Sequence, residues 1–249
     1  MDELTVTYPL DETTGDGPQI EFLCDPELAG TIPPPDRAIK FLPDWFRNLD
    51  REMGMPDAQG LPGLTVKACL PVTDTFSLGY VIPLPYDIRF GPMEGPVNLG
   101  IQWAETCQFQ PIEQHHPGQL GAPNPPFGQV MPLKFVNPWR IKVPDGYSVL
   151  FQPVMNRPDL PFYCFSGLVD CDRFATMINF PFIWNGGNSD FTLPAGTPMI
   201  QLIPILRDSL IKSHGARQST PDELSEQAEA RKRKYNEEST YRREWRVKK

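Results

Sequence analysis

The sequence predicts a mainly β fold: a β-clip or sandwich-like domain with short N-terminal helices and a charged C-terminal helix. Three observations carry this expectation. Proline makes up 30 of the 249 residues, more than twice the usual ~5%, and the prolines sit among Phe, Trp, Ile and Val. Short apolar runs recur between turn signals as far as residue 206, the spacing of an all-β domain. The segment from Phe174 to Trp184 alternates apolar and other residues at period two, as a strand with one buried face does. Proline and glycine together are about a fifth of the chain, short of the ~25–30% that marks a disordered one.

Taken in chain order, residues 1–35 read as an extended proline-rich arm. Thr13 to Pro18 is turn chemistry, Ile20 to Leu23 is one short strand, and Pro33-Pro34-Pro35 cannot enter a sheet interior. A β-rich core is expected over 36–206. It opens with a helix starting at Pro43-Asp44, whose Trp45, Phe46, Leu49 and Met53 share one face before Gly54 stops it. A second helical stretch covers Leu70 to Leu78 and ends at Gly79. Short strands follow at Tyr80–Leu84 and Asp87–Phe90. Residues 97–130 have little periodicity and read as a long surface excursion of functional or interface character. Beyond them the strands expected are Leu133–Val136, Trp139–Val143, Tyr147–Gln152, Gly167–Asp170, Phe174–Trp184, Phe191–Leu193 and Met199–Ile205.

Composition changes sharply after residue 206. Residues 207–249 hold a single proline, Pro221, in Thr220-Pro221-Asp222-Glu223, a capping box with proline at the first helical position. Glu229 with Arg233 and Glu238 with Arg242 stand at i,i+4 spacing. From residue 212 onward Lys and Arg outnumber Asp and Glu by 11 to 7, whereas the preceding 211 residues carry 12 against 24. So acidic a body repels a phosphate backbone, which makes nucleic acid an unexpected partner for it. The basic run Arg231-Lys232-Arg233-Lys234 has two readings, a solvated helix face or a contact with nucleic acid or an acidic protein. Tyr241 and Trp245 among arginines favour binding, because Trp and Arg anchor interfaces, and a protein partner for the tail is expected.

Other classes are excluded by what the chain lacks. No apolar run approaches the ~18–20 residues of a membrane span. The N-terminus, Met1-Asp2-Glu3-Leu4-Thr5, has no signal-peptide pattern. The five cysteines form no CxxC pair and read as reduced thiols, giving a cytoplasmic or virion location. No Gly-x-Ser-x-Gly elbow and no Gly-x-x-x-x-Gly-Lys loop occurs. Glu113, His115 and His116 form the one cluster of metal-ligand types, but no further carboxylate or histidine stands at ligand spacing. Exposed loop histidines are therefore expected, with no metal and no cofactor. Asp170 and Asp172 form an acidic pair at a strand end, read either as a turn or interface pair or as a catalytic base.

The segment from Pro144 to Ile205 resembles the trimeric dUTPase and dCTP deaminase β-clip superfamily. Gly167-Leu168-Val169-Asp170-Cys171-Asp172 resembles its Gly-hydrophobic-hydrophobic-Asp turn, and Gly196-Thr197-Pro198-Met199-Ile200-Gln201-Leu202 its closing strand. Arg157, ten residues before Gly167, stands roughly where the family has a phosphate-contacting arginine. The resemblance implies Arg157, Asp170, Asp172 and Gln201 as ligand-binding candidates, with Asp170 as base and magnesium as cofactor if the chain is a nucleotide hydrolase. Three departures go the other way. Pro158 and Asp159 replace serines, Arg173 replaces a tyrosine, and the charged tail replaces a glycine-rich flap. More broadly the chain is similar to uncharacterised phage and bacterial proteins, through Leu78 to Leu84, Pro138-Trp139-Arg140-Ile141 and Val169 to Asp172.

Two functions follow as expectations. The first is a non-enzymatic assembly or binding protein of phage type, a virion structural component. It would be homo-oligomeric, with a trimer favoured and Phe182 and Trp184 of the aromatic stripe at the interface. The second is a diverged dUTPase-like nucleotide hydrolase or nucleotide-binding protein.

Overall fold

A computed structural model describes residues 17, 19–56, 58, 60, 62–93, 99–121, 132–187, 189–236 and 240–247. Two units divide the chain, Met1–Ser209 and Leu210–Lys249. Among the described residues the first unit is built from short antiparallel strands with two short helices. In chain order these are β1 (Glu21–Leu23), β2 (Asp36–Arg37), α1 (Asp44–Asn48), β3 (Glu52–Pro56), β4 (Pro62–Leu64), α2 (Leu70–Thr75), β5 (Tyr80–Pro83), β6 (Ile88–Pro92), β7 (Leu99–Gln102) and β8 (Ile112–Gln114). They continue as β9 (Pro132–Phe135), β10 (Arg140–Lys142), β11 (Tyr147–Gln152), β12 (Phe162–Cys164), β13 (Gly167–Val169), β14 (Phe180–Trp184), β15 (Phe191–Leu193) and β16 (Pro198–Leu206). The mainly β class is therefore observed.

Three sheets make the body: β13-β11-β16-β5-β2, β12-β14-β9-β8 and β15-β6-β7. The ribbons β1-β10 and β3-β4 complete it. The three sheets share one apolar core to which nearly every strand contributes. Phe151 of β11 meets Phe180 of β14 with ring centroids 5.3 Å apart, joining the five- and four-stranded sheets. Phe90 of β6 stacks on Trp184 of β14 at 3.8 Å and 7°, joining the three-stranded sheet to the same face. Phe182 stacks on Phe135 at 3.8 Å and also touches Phe162.

These contacts correct the reading of the aromatic stripe. Phe182 is 0% and Trp184 8% exposed, so both lie in the core of their own chain rather than on its surface. Only Phe180–Trp184 is a strand, while Phe174 remains exposed. Between them the Asn137 amide donates to the Ile178 carbonyl at 3.1 Å, and Asn179 accepts from the Asn137 backbone N–H at 3.0 Å. Backbone groups there are satisfied by side chains rather than by a neighbouring strand.

The N-terminal half departs from expectation in two further places. Helix α1 stops at Asn48, and Met53 lies instead on the exposed ribbon strand β3. Thr65 is the cause, since its hydroxyl and backbone N–H donate to the carbonyls of Asp50 and Arg51 and pull the chain into the ribbon. The proposed excursion contains strands β7 and β8; its residues 97, 98 and 122–130 lie outside the described ones. Strand β1, within the proposed arm, pairs with β10.

In the second unit, α3 (Pro221–Asn236) begins at the expected capping box. The Thr220 backbone N–H donates to the Glu223 carboxylate at 2.8 Å, and the Glu223 N–H donates to the Thr220 hydroxyl at 3.3 Å. Arg233 pairs with Glu244 at 3.2 Å rather than with Glu229; Glu238 lies outside the described residues. Because α3 is solvated, its end groups decide its helicity more than packing does. Thr220→Ala is expected to cost the helix about 1 kcal/mol, read as lower far-UV helical ellipticity near the melting range of the tail. No helix among the described residues is long and apolar enough to cross a membrane.

Candidate functional site

Strand β11 organises the polar groups of the body, with one cluster at each end. At its start, β11 pairs with β13 so that Val149 faces Val169, which sets Asp170 opposite Ser148. The Ser148 hydroxyl donates to the Asp170 carboxylate at 2.6 Å. Arg207, just past the end of β16, donates to both carboxylates of the acidic pair: 2.5 Å to Asp172 and 3.4 Å to Asp170. It also donates to the Tyr147 carbonyl at 2.8 Å, and Asp172 accepts from the Gly146 N–H at 2.9 Å. The side chain of Asp172 is only 3% exposed, while that of Asp170 is 60% exposed. The Arg207 hydrogen bonds hold the Asp172 carboxyl at about 2, outweighing the opposing effect of burial. Asp172 is thus a structural ion-pair partner, and Asp170 is the solvent-facing carboxylate of the two.

The pair has a measurable acid signature. A carboxyl whose pKa is depressed on folding stabilises the native state above its unfolded value, ~3.9, and that stabilisation is lost as pH falls towards about 2. Asp172→Asn is therefore expected to melt lower than the parent at neutral pH. The two melting curves should converge as pH drops from roughly 4 to roughly 2.

At the far end of β11 lies the second cluster. Gln201 pairs in register with Gln152 and is buried. Its amide donates to the Leu78 carbonyl at 2.6 Å and accepts from the Met155 N–H at 2.9 Å. These bonds tie α2 and the 153–159 turn to the sheet. Arg157 in that turn grips Asp159 in fork geometry, at 2.9 and 2.7 Å, and donates to the Phe41 carbonyl at 3.3 Å. Burial raises the Asp159 carboxyl, but the charge and hydrogen bonds of Arg157 win and lower it overall. Four residue steps along the strand separate Ser148 from Gln152, about 13 Å at ~3.3 Å per step. The four ligand-binding candidates therefore fall into two groups, Asp170 with Asp172 and Arg157 with Gln201.

Glu113, His115 and His116 do not converge. Glu113 pairs with Lys134 at 2.5 Å, and His116 Nδ1 accepts from the Gly118 N–H at 3.0 Å. His115 Nε2 is buried without a hydrogen-bond partner. Among the described residues no three His, Cys, Asp or Glu side chains are grouped to hold a metal. In the second unit Tyr241 and Trp245, at 40% exposure for the indole residue, remain on the surface of a single π-helical turn. All five cysteines are free thiols; Cys69 is exposed, and Cys164 and Cys171 are buried. The Cys164 thiol donates to the Met199 carbonyl at 3.4 Å, and burial pushes it far up. Cys171 is raised to about 11 by burial and by the neighbouring Asp170 and Asp172 charges.

Sequence reasoning missed Arg207 and Ser148. Their signal exists only in pairing, because Tyr147 faces Leu206 across β11 and β16, which sets Arg207 opposite Gly146 with its guanidinium within reach of Ser148. No family model matches the chain, and no curated protein matches it. Among solved structures, native EIAV dUTPase is similar over 57% of this chain and 87% of that one, at 15% identity and a TM-score of 0.30.

Proposed function

We propose that the chain is a non-enzymatic, β-rich assembly protein that associates with copies of itself, with a trimer as the favoured form. The observation that carries the reading is the state of the charged candidates. Arg157 is matched by Asp159 and Asp172 by Arg207, inside the chain. Groups already matched in this way favour a structural role over phosphate binding, because a ligand would have to displace a charge-assisted partner. Exposed apolar residues supply the association surface in this reading. Leu168 on edge strand β13, with Phe174 and Met177 beyond it, are 58%, 43% and 42% exposed. An unpaired strand edge beside apolar side chains is a pairing surface. A virion component is the finer form of the proposal, drawn from the sequence resemblance of Leu78 to Leu84 and Val169 to Asp172.

Light scattering on the purified chain tests it. The expected mass is three times 28.2 kDa, and Phe174→Asp should shift it downward without lowering the melting temperature. A monomer at high concentration overturns the reading.

One observation favours a second reading, a diverged nucleotide hydrolase or nucleotide-binding protein. Asp170 presents an open carboxylate next to Arg207 and Ser148, the kind of group that orients a water. Magnesium belongs to this reading alone, since phosphoryl chemistry needs charge neutralisation. A thermal-shift panel of deoxynucleotides with magnesium tests it. Saturation at a hundredfold excess over Kd stabilises a binder by about 2.7 kcal/mol, and a panel without any shift rules this reading out.

A further inference from the structure

We infer that the C-terminal unit binds single-stranded nucleic acid in a groove between α3 and the Tyr241–Trp245 turn. The turn is brought back onto the helix by two contacts. Arg233 pairs with Glu244, and the Thr240 hydroxyl donates to the Arg233 carbonyl at 3.2 Å. Trp245 then lines a groove of about 500 Å³ together with Leu224, Ala228, Arg231 and Lys234. Trp245 supplies an indole, Leu224 and Ala228 supply apolar groups, and Gln227, Arg231 and Lys234 supply polar ones.

The occupant follows from charge and shape. Residues 231–249 hold nine Lys and Arg against three Asp and Glu. Basic residues in the last turn of a helix complement its dipole, but that effect fades within one turn and does not account for cations continuing to Arg246. A polyanion is the complementary partner. An acidic protein would satisfy the cations and leave the indole without a matched face. A single-stranded nucleic acid offers both, phosphates for Arg231 and Lys234 and a base to stack on Trp245, as strand-binding grooves do. An indole stacks on any base, so binding through Trp245 is sequence-tolerant. The acidic balance of the first 211 residues keeps the contact local to the tail.

Fluorescence anisotropy with the full chain and a labelled single-stranded oligothymidylate tests this across a salt series. Two phosphate contacts, from Arg231 and Lys234, predict that log K falls with log salt at a slope of roughly −1.4, at ~0.7 per contact. Trp245→Ala should weaken binding on the order of tenfold with the slope unchanged. Arg231→Gln with Lys234→Gln should lower the slope by roughly 1.4, with helical ellipticity checked to exclude unfolding. Absence of binding at low salt overturns the inference. So does polyglutamate competing as well as the oligonucleotide, which would mark an acidic-protein surface, or Trp245→Ala binding like the parent.

Discussion

Phe182→Ala should lower the unfolding free energy by about 3–5 kcal/mol, and Phe182→Asp should leave no folded protein to purify. The ring is fully buried, stacked on Phe135 and edge-on to Phe162. Truncation removes the contacts of an aromatic pair as well as buried area, and a carboxylate at that site would have neither water nor a cation. Urea denaturation gives the alanine value. Phe174→Asp is the matched control, since Phe174 is an exposed residue of the same stripe. A folded, merely dissociated Phe182→Asp protein would show that the ring faces another subunit, contrary to its position in the core.

Gly79→Ala should be of similar size, about 2–5 kcal/mol, from left-handed strain of ~1–2 and overpacking of ~1–3. Gly79 sits at φ +70° where α2 gives way to β5, and a Cβ there would collide with the Leu202 carbonyl of β16. That collision cannot be relieved by turning a side chain, because the obstacle is backbone in a paired strand. The turn is also fixed from the other side, as the Gly79 carbonyl accepts from the Ala38 N–H at 3.0 Å. Gly196→Ala separates the two contributions. Its φ is +85° but nothing lies within 4 Å of its Cβ position, so it reports strain alone. Equal effects at the two sites would show that the β16 backbone yields.

Much of the fold was legible where local pattern and pairing agree. Tyr147–Gln152 is a strand over the expected residues, and Met199–Ile205 lies within β16. Both are apolar runs with a turn signal before them, and both are interior to the five-stranded sheet. Legibility failed where distant groups decide the backbone. The periodic face of Trp45 to Met53 fits a helix, yet Thr65 bonds at residues 50 and 51 end it, and Lys67 donates to the Arg47 carbonyl at 2.7 Å at the helix end. The alternation of 174–184 is real, but Asn137 and Asn179 take over the backbone bonds at its middle. The acidic pair was legible as residues but not as a device, because its cation comes from position 207, outside any local motif. The tail's capping box was fully readable, since all its groups lie within four residues.

Three of the five thiols, Cys69, Cys171 and Cys164, form a built-in set of clocks. Alkylation requires thiolate and access, so Cys69 on the surface should react ahead of the buried thiols. Cys171, at about 11 and buried, reacts only when the Asp170–Asp172 corner opens. Cys164, beneath β14 and β16, reacts only when two sheets part. Three labelling rates in one native sample therefore measure three opening equilibria, from surface to corner to core. No probe need be added, because the chain already carries a reporter at each depth.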